Sequence, residues 1–85
     1  MRTLKDLEKY LHKNRLAQLS IVMVGLEKRN LRLDIISLGF MGNYHFTYQK
    51  NHRGVPYFHY EDWIYTEEEF TQKILGEISQ YIRIN

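Results

Sequence analysis

Leu4, Leu7 and Leu11 recur at helical spacing near the start of the chain, with Lys5, Lys9 and Lys13 on the opposite face. Thr3-Leu4-Lys5-Asp6 precedes this pattern as a capping box with Asp in place of Glu. Together they predict a first helix that begins at Thr3 and ends near Asn14, a residue that tolerates a left-handed terminus.

The period then changes. AQLSIVMVGLE, residues 17–27, is rich in Ile and Val and apolar on both parities. That pattern predicts a strand buried on both faces, hence a central one. EKRN supplies a polar turn. LRLDIISLGF follows, with Leu31, Leu33 and Ile35 on one face and Arg32 and Asp34 on the other. The two segments form a hairpin. GFMGN, with two glycines, predicts a turn. YHFTYQ and VPYFHY are two further extended runs around the loop KNHRG, and Pro56, which cannot donate to a ladder, is confined to an edge strand or a strand's start.

The last helix opens at Thr66-Glu67-Glu68-Glu69, a second capping box, with Tyr65 and Phe70 in the staple positions around it. Phe70, Ile74, Ile78, Tyr81 and Ile82 form its apolar stripe. Gly76 interrupts this helix and suits a close approach to the sheet. The resulting expectation is an α+β domain of order α-β-β-β-(β)-α. It has an antiparallel sheet of three to four strands, with an N-terminal and a C-terminal helix on one face. At 85 residues the chain is expected to be a single domain.

Register in the aromatic region follows from parity. Tyr44, Phe46, Tyr48, Phe58 and Tyr60 are even-numbered, whereas His45, Thr47, Gln49, Tyr57 and His59 are odd. Directly paired residues share a face. Only an even sum of paired positions therefore gathers the rings on one face and the polar groups on the other. A three-residue loop, His52-Arg53-Gly54, gives the sum 106. A five-residue loop gives 104 and sets His45 opposite His59.

Composition adds exclusions. Hydrophobic residues make up 44% and charged residues 26%, an ordinary globular balance. There is no cysteine, which removes disulfides, thiolate metal sites and thiol nucleophiles. A short cysteine-free chain with no apolar leader is expected in the cytoplasm. No run is long enough for a membrane span. The net charge of +2 hides an asymmetry: residues 1–60 hold ten Lys/Arg and four Asp/Glu, residues 61–85 two and six.

Three functional readings follow. The sequence contains no GxSxG, HExxH, GxGxxG or phosphate-cradling glycine loop, so neither an enzyme nor a cofactor is expected. Residues 44–65 carry eight of the twelve aromatics, whose even face is read first as core, but YFHYEDWIY, residues 57–65, holds more large rings than one small core needs. Tyr57, Tyr60, Trp63 and Tyr65 are therefore candidate partner-binding residues of a small protein–protein interaction module or regulator. A homodimer through the open sheet face or an edge is its expected form. The alternative is nucleic-acid binding through Lys5, Lys9, Lys13, Arg29, Arg32 and Arg53, with the aromatic hairpin beside them. A metal held by His45 and His59 is the weakest reading, because metal motifs have tighter spacing.

Overall fold

The computed structural model describes residues 1–84. Helix α1 (Leu4–Lys13) is followed by strands β1 (Gln18–Met23), β2 (Asn30–Ser37), β3 (Phe40–Lys50), β4 (Pro56–Tyr60) and β5 (Trp63–Tyr65), and then by helix α2 (Glu67–Ile78). The strands form one antiparallel sheet in the order β1-β2-β3-β4-β5, a meander in which every neighbour in sequence is a neighbour in space. The α+β architecture is as expected. Among the described residues the strand count is five, because Trp63–Tyr65 pairs with β4 after a two-residue turn at which Glu61 takes φ 55°.

Both capping boxes form. Thr3 accepts from the Asp6 N–H (3.0 Å), and the Arg2 and Thr3 N–H groups donate to Asp6 Oδ2 (3.1 and 3.2 Å). At α2, Thr66 accepts from the Glu69 N–H (3.2 Å) and donates its own N–H to Glu69 Oε1 (2.9 Å). Each box satisfies helix-terminal donors that would otherwise lack partners. Asn14 caps α1 with an ordinary right-handed φ of −92°, and the left-handed residue is Arg15, one position later (φ 55°). The helix N-termini meet: Glu67 Oε2 accepts from the Leu4 N–H (3.1 Å), joining residues 63 positions apart in sequence.

Leu4, Leu7 and Leu11 of α1 and Phe70, Ile74 and Ile78 of α2 bury against Leu19, Leu33, Ile35, Phe46, Phe58 and Tyr60 of the sheet, making one core. Phe70 is its centre, with ring centroids 4.9 Å from Phe46, 5.2 Å from Phe58, 5.6 Å from Tyr60 and 6.3 Å from Tyr65. The last of these is the expected staple contact. Both helices cover the same face of the sheet, which leaves the other open to solvent.

Three local expectations are corrected. The segment read as a doubly buried central strand is β1, at the sheet's outer edge, with Ile21, Val22 and Met23 exposed. In a meander the first strand pairs on one side only, so apolar character on both parities does not establish centrality. GFMGN is not all turn: the turn is Leu38-Gly39, with Gly39 at φ 89°, and Gly42 lies buried inside β3. Gly76 makes no close approach, since a Cβ there would meet nothing within 4 Å.

Candidate functional site

The β3–β4 register is the even one with sum 106. Thr47 faces His59, Tyr48 faces Phe58, and Gln49 faces Tyr57. Asn51 donates its N–H to the Val55 carbonyl (3.0 Å), closing the loop His52-Arg53-Gly54, and Gly54 takes φ 80°. Phe46, Phe58 and Tyr60 are buried, and Tyr44 and Tyr48 are half-buried against them. The aromatic concentration is therefore mostly core.

The candidate partner-binding residues separate accordingly. Tyr60 belongs to the core, and its hydroxyl donates to Glu77 Oε2 (2.9 Å). Burial, followed by that hydrogen bond, holds its ionisation well above the ordinary phenol range. Tyr65 is half-buried on Phe70. Tyr57 lies half-buried on the open face, with its hydroxyl donating to Gln49 Oε1. Trp63 alone stands free of the core, 70% exposed, beside Ile64 at 66%. They occupy β5, the edge opposite β1, directly after the turn Glu61-Asp62, whereas Glu67 accepts from the Leu4 N–H, Glu68 pairs with Arg2 and Glu69 closes the α2 capping box.

The open face is polar at its centre. Arg32 forms a two-pronged pair with Asp34 (2.7 and 2.9 Å), and Asn43, its amide nitrogen turned to Asp34, donates to Oδ1 at 3.1 Å. The Arg32 guanidinium, chiefly by hydrogen bonding, holds the Asp34 carboxyl below its ordinary range. His45 stands opposite Arg32 and is diagonal to His59, not paired with it. Among the described residues no group of three His, Cys, Asp or Glu is placed to hold a metal ion.

The candidate nucleic-acid residues do not share one face. Lys5, Lys9 and Lys13 are exposed on α1, on the covered side of the sheet. Arg32 is on the open side and already paired, Arg29 is paired with Glu27 (3.0 Å), and Arg53 is at the tip of the β3–β4 loop.

Other apolar groups are exposed as well. Ile36 and Met41 are cross-strand neighbours on the open face, and Leu38 tops the turn between β2 and β3. Ile21, Val22 and Met23 line the β1 edge. Their alternation resembles that of buried residues, and only strand order distinguishes the two.

Among the described residues no helix is long and apolar enough to cross a membrane. Comparison with protein-family models, with curated proteins and with solved structures finds no match to this chain.

Proposed function

We propose that the protein is a small non-enzymatic protein–protein interaction module whose anchor is Trp63. The observation that supports this is the exposure of its sole tryptophan on an edge strand, with Ile64, the next residue, exposed toward the opposite face. A large amphipathic ring costs little entropy to fix and contributes much to an interface, so an uncovered tryptophan is a natural anchor. Glu61 and Asp62, in the turn just before it, give this anchor an acidic side. A homodimer through β5 would set two such acidic turns together, so a partner with an apolar pocket beside a basic group fits better. The absence of cysteine suits a reducing compartment such as the cytoplasm.

The test compares tagged wild-type protein with Trp63→Ala in extracts of the source cell, with light scattering on both. The expected result is two forms of equal mass, of which only the wild type recovers partner proteins. Recovery of the same proteins by both forms removes Trp63 from the interface and the reading with it. Folding of the variant is checked by its far-ultraviolet dichroism, since a side chain this exposed contributes little to the core.

A further inference from the structure

The two outer edges of the sheet differ in what they leave unbonded. Val24 donates its N–H to the Asn30 carbonyl (2.9 Å), continuing the β1–β2 register. Antiparallel ladders alternate, so the even-numbered residues of β1 bond to β2, while the N–H and C=O groups of Leu19, Ile21 and Met23 point outward. At β5 the same alternation leaves only Ile64 pointing outward. The β1 edge is also unprotected, since Gln18–Met23 contains no charged residue and no proline.

The helix side of this edge is covered at one end only. Leu19 is buried, and with Glu8, Lys9, His12 and Gln18 it lines a cleft of about 410 Å³ along the flank of α1. Ile21 and Met23 share that side by alternation, yet they remain 47% and 54% exposed. There the N-terminal end of α1 turns inward. A second cleft, of about 400 Å³, holds Lys5, Glu67 and Ile21 and crosses the sheet to Phe58 of β4.

We propose that the β1 edge receives a second copy of this chain, paired antiparallel with β1 about a two-fold axis at Ile21, so that the two five-stranded sheets become one. In this register Leu19 faces the partner's Met23, Ile21 faces its own counterpart, and Ser20 faces the partner's Val22. The outward groups of Leu19, Ile21 and Met23 then satisfy one another with none left over. An axis at Ser20 would instead set Met23 against Ala17, whose N–H already donates to the Leu11 carbonyl (3.5 Å). Antiparallel pairing also lays the covered end of one strand beside the bare end of the other. The partner's Met23 comes alongside Leu19, at the cleft under α1, so each copy covers the methionine that the other exposes. A foreign strand has no reason to match in this way, whereas an identical one matches by symmetry. Charge does not oppose it. The two clefts hold Lys9 with Glu8 and Lys5 with Glu67, and His12 is the one further titratable group lining them. Such balanced flanks neither repel a copy nor select a charged segment. An isologous pairing uses each β1 edge once and closes at two copies. This interface goes beyond the Trp63 reading and leaves the β5 edge free.

Sedimentation equilibrium of the full chain is expected to give the mass of a dimer, falling to that of a monomer on dilution. Amide NMR is expected to find slow hydrogen exchange at Leu19, Ile21 and Met23 in the dimer and fast exchange in the monomer. Residue 21 lies on the axis, so a charge placed there meets its own copy. Ile21→Lys and Ile21→Glu, at a half-exposed edge position, are each expected to raise the dissociation constant about tenfold or more. A one-to-one mixture of the two is expected to recover the dimer, a result that pairing with a foreign strand does not produce. Trp63→Ala is expected to leave the mass unchanged, so failure here and failure of the Trp63 reading are separately visible. Monomer mass at millimolar concentration overturns the proposal. So does a dimer whose β1 amides exchange freely, a dimer lost with Trp63, a mass that grows past two copies, or a mixture of the charged variants that stays monomeric.

Discussion

The Tyr60 hydroxyl donates to Glu77 Oε2 at 2.9 Å and so ties the last residue of β4 to the final turns of α2. Lys73 lies 3.7 Å from the other oxygen of the same carboxylate, one helical turn earlier. Tyr60→Phe keeps the ring against Phe70 and removes only the hydrogen bond. The expected loss is about 1 kcal/mol, the usual net worth of such a bond, measured by urea unfolding. A loss below a few tenths would mean that water replaces the phenol without penalty.

The same bond has an alkaline signature. Burial and the Glu77 carboxylate favour the neutral phenol in the folded protein, so its ionisation is raised. A raised group stabilises fully below its unfolded value, about pH 10 for tyrosine, and that stability is lost as pH rises toward the folded value. Wild-type stability is expected to fall above about pH 10 more steeply than that of Tyr60→Phe. Parallel alkaline profiles would detach Tyr60 from the effect.

Gly42 sits under two rings. A Cβ at this position would lie 2.8 Å from Phe40 Cζ and 2.8 Å from Tyr44 Cε2. Phe40 in turn stacks on Tyr81, with centroids 4.8 Å apart and planes 9° apart. Gly42→Ala therefore displaces a packed ring, and about 1–3 kcal/mol of stability should be lost, as in other overpacked sites. The expected spectral sign is a shift of the Tyr81 ring resonances in NMR. An unaltered midpoint would mean that both rings swing clear at no cost.

How much of this was legible in the sequence depended on whether a feature is local. The capping boxes and the staple were readable because their partners lie within five residues. Parity made an even register readable, but 106 and 104 both satisfy it, and the Asn51–Val55 closure of the loop decides between them. Strand order was not, and β1 suffered for it. Ile21, Val22 and Met23 read as core because nothing in a strand's own residues says whether a neighbour lies on its other side. Trp63–Tyr65 formed no strand in the expected order because three residues are too few to show a period. At the candidate site the segment around Trp63 was legible as aromatic-rich. That Trp63 is uncovered while Tyr60 is core follows from the turn at Glu61 and from where α2 lands.

Acid should destabilise the fold through three carboxylates. Asp6 and Glu69 accept backbone N–H groups at the two helix starts, and Asp34 accepts the Arg32 guanidinium; each is held below its ordinary range. Depressed carboxylates give stability that is present above their unfolded values and lost as pH falls through the folded ones. The contribution of these carboxylates should therefore be constant above about pH 5 and decline below it. Asp34→Asn should shallow that decline, since it removes one of the three groups. Identical acid limbs in the two proteins would show that Arg32 does not stabilise the Asp34 carboxylate.

Gly76 tests the opposite sign. It lies inside α2, exposed, with nothing within 4 Å of where a Cβ would stand and no left-handed φ. Ser79 donates its hydroxyl to the Gly76 carbonyl (2.8 Å), a main-chain acceptor that any residue retains. Alanine should therefore reduce the freedom of the unfolded chain and meet no obstacle in the folded one. Gly76→Ala is expected to stabilise the protein by about 0.5–1 kcal/mol, which raises the melting temperature by several degrees in a domain of this size. A fall instead would mean that the helix uses glycine's freedom at this position, and that the segment after Ile78 moves against the sheet.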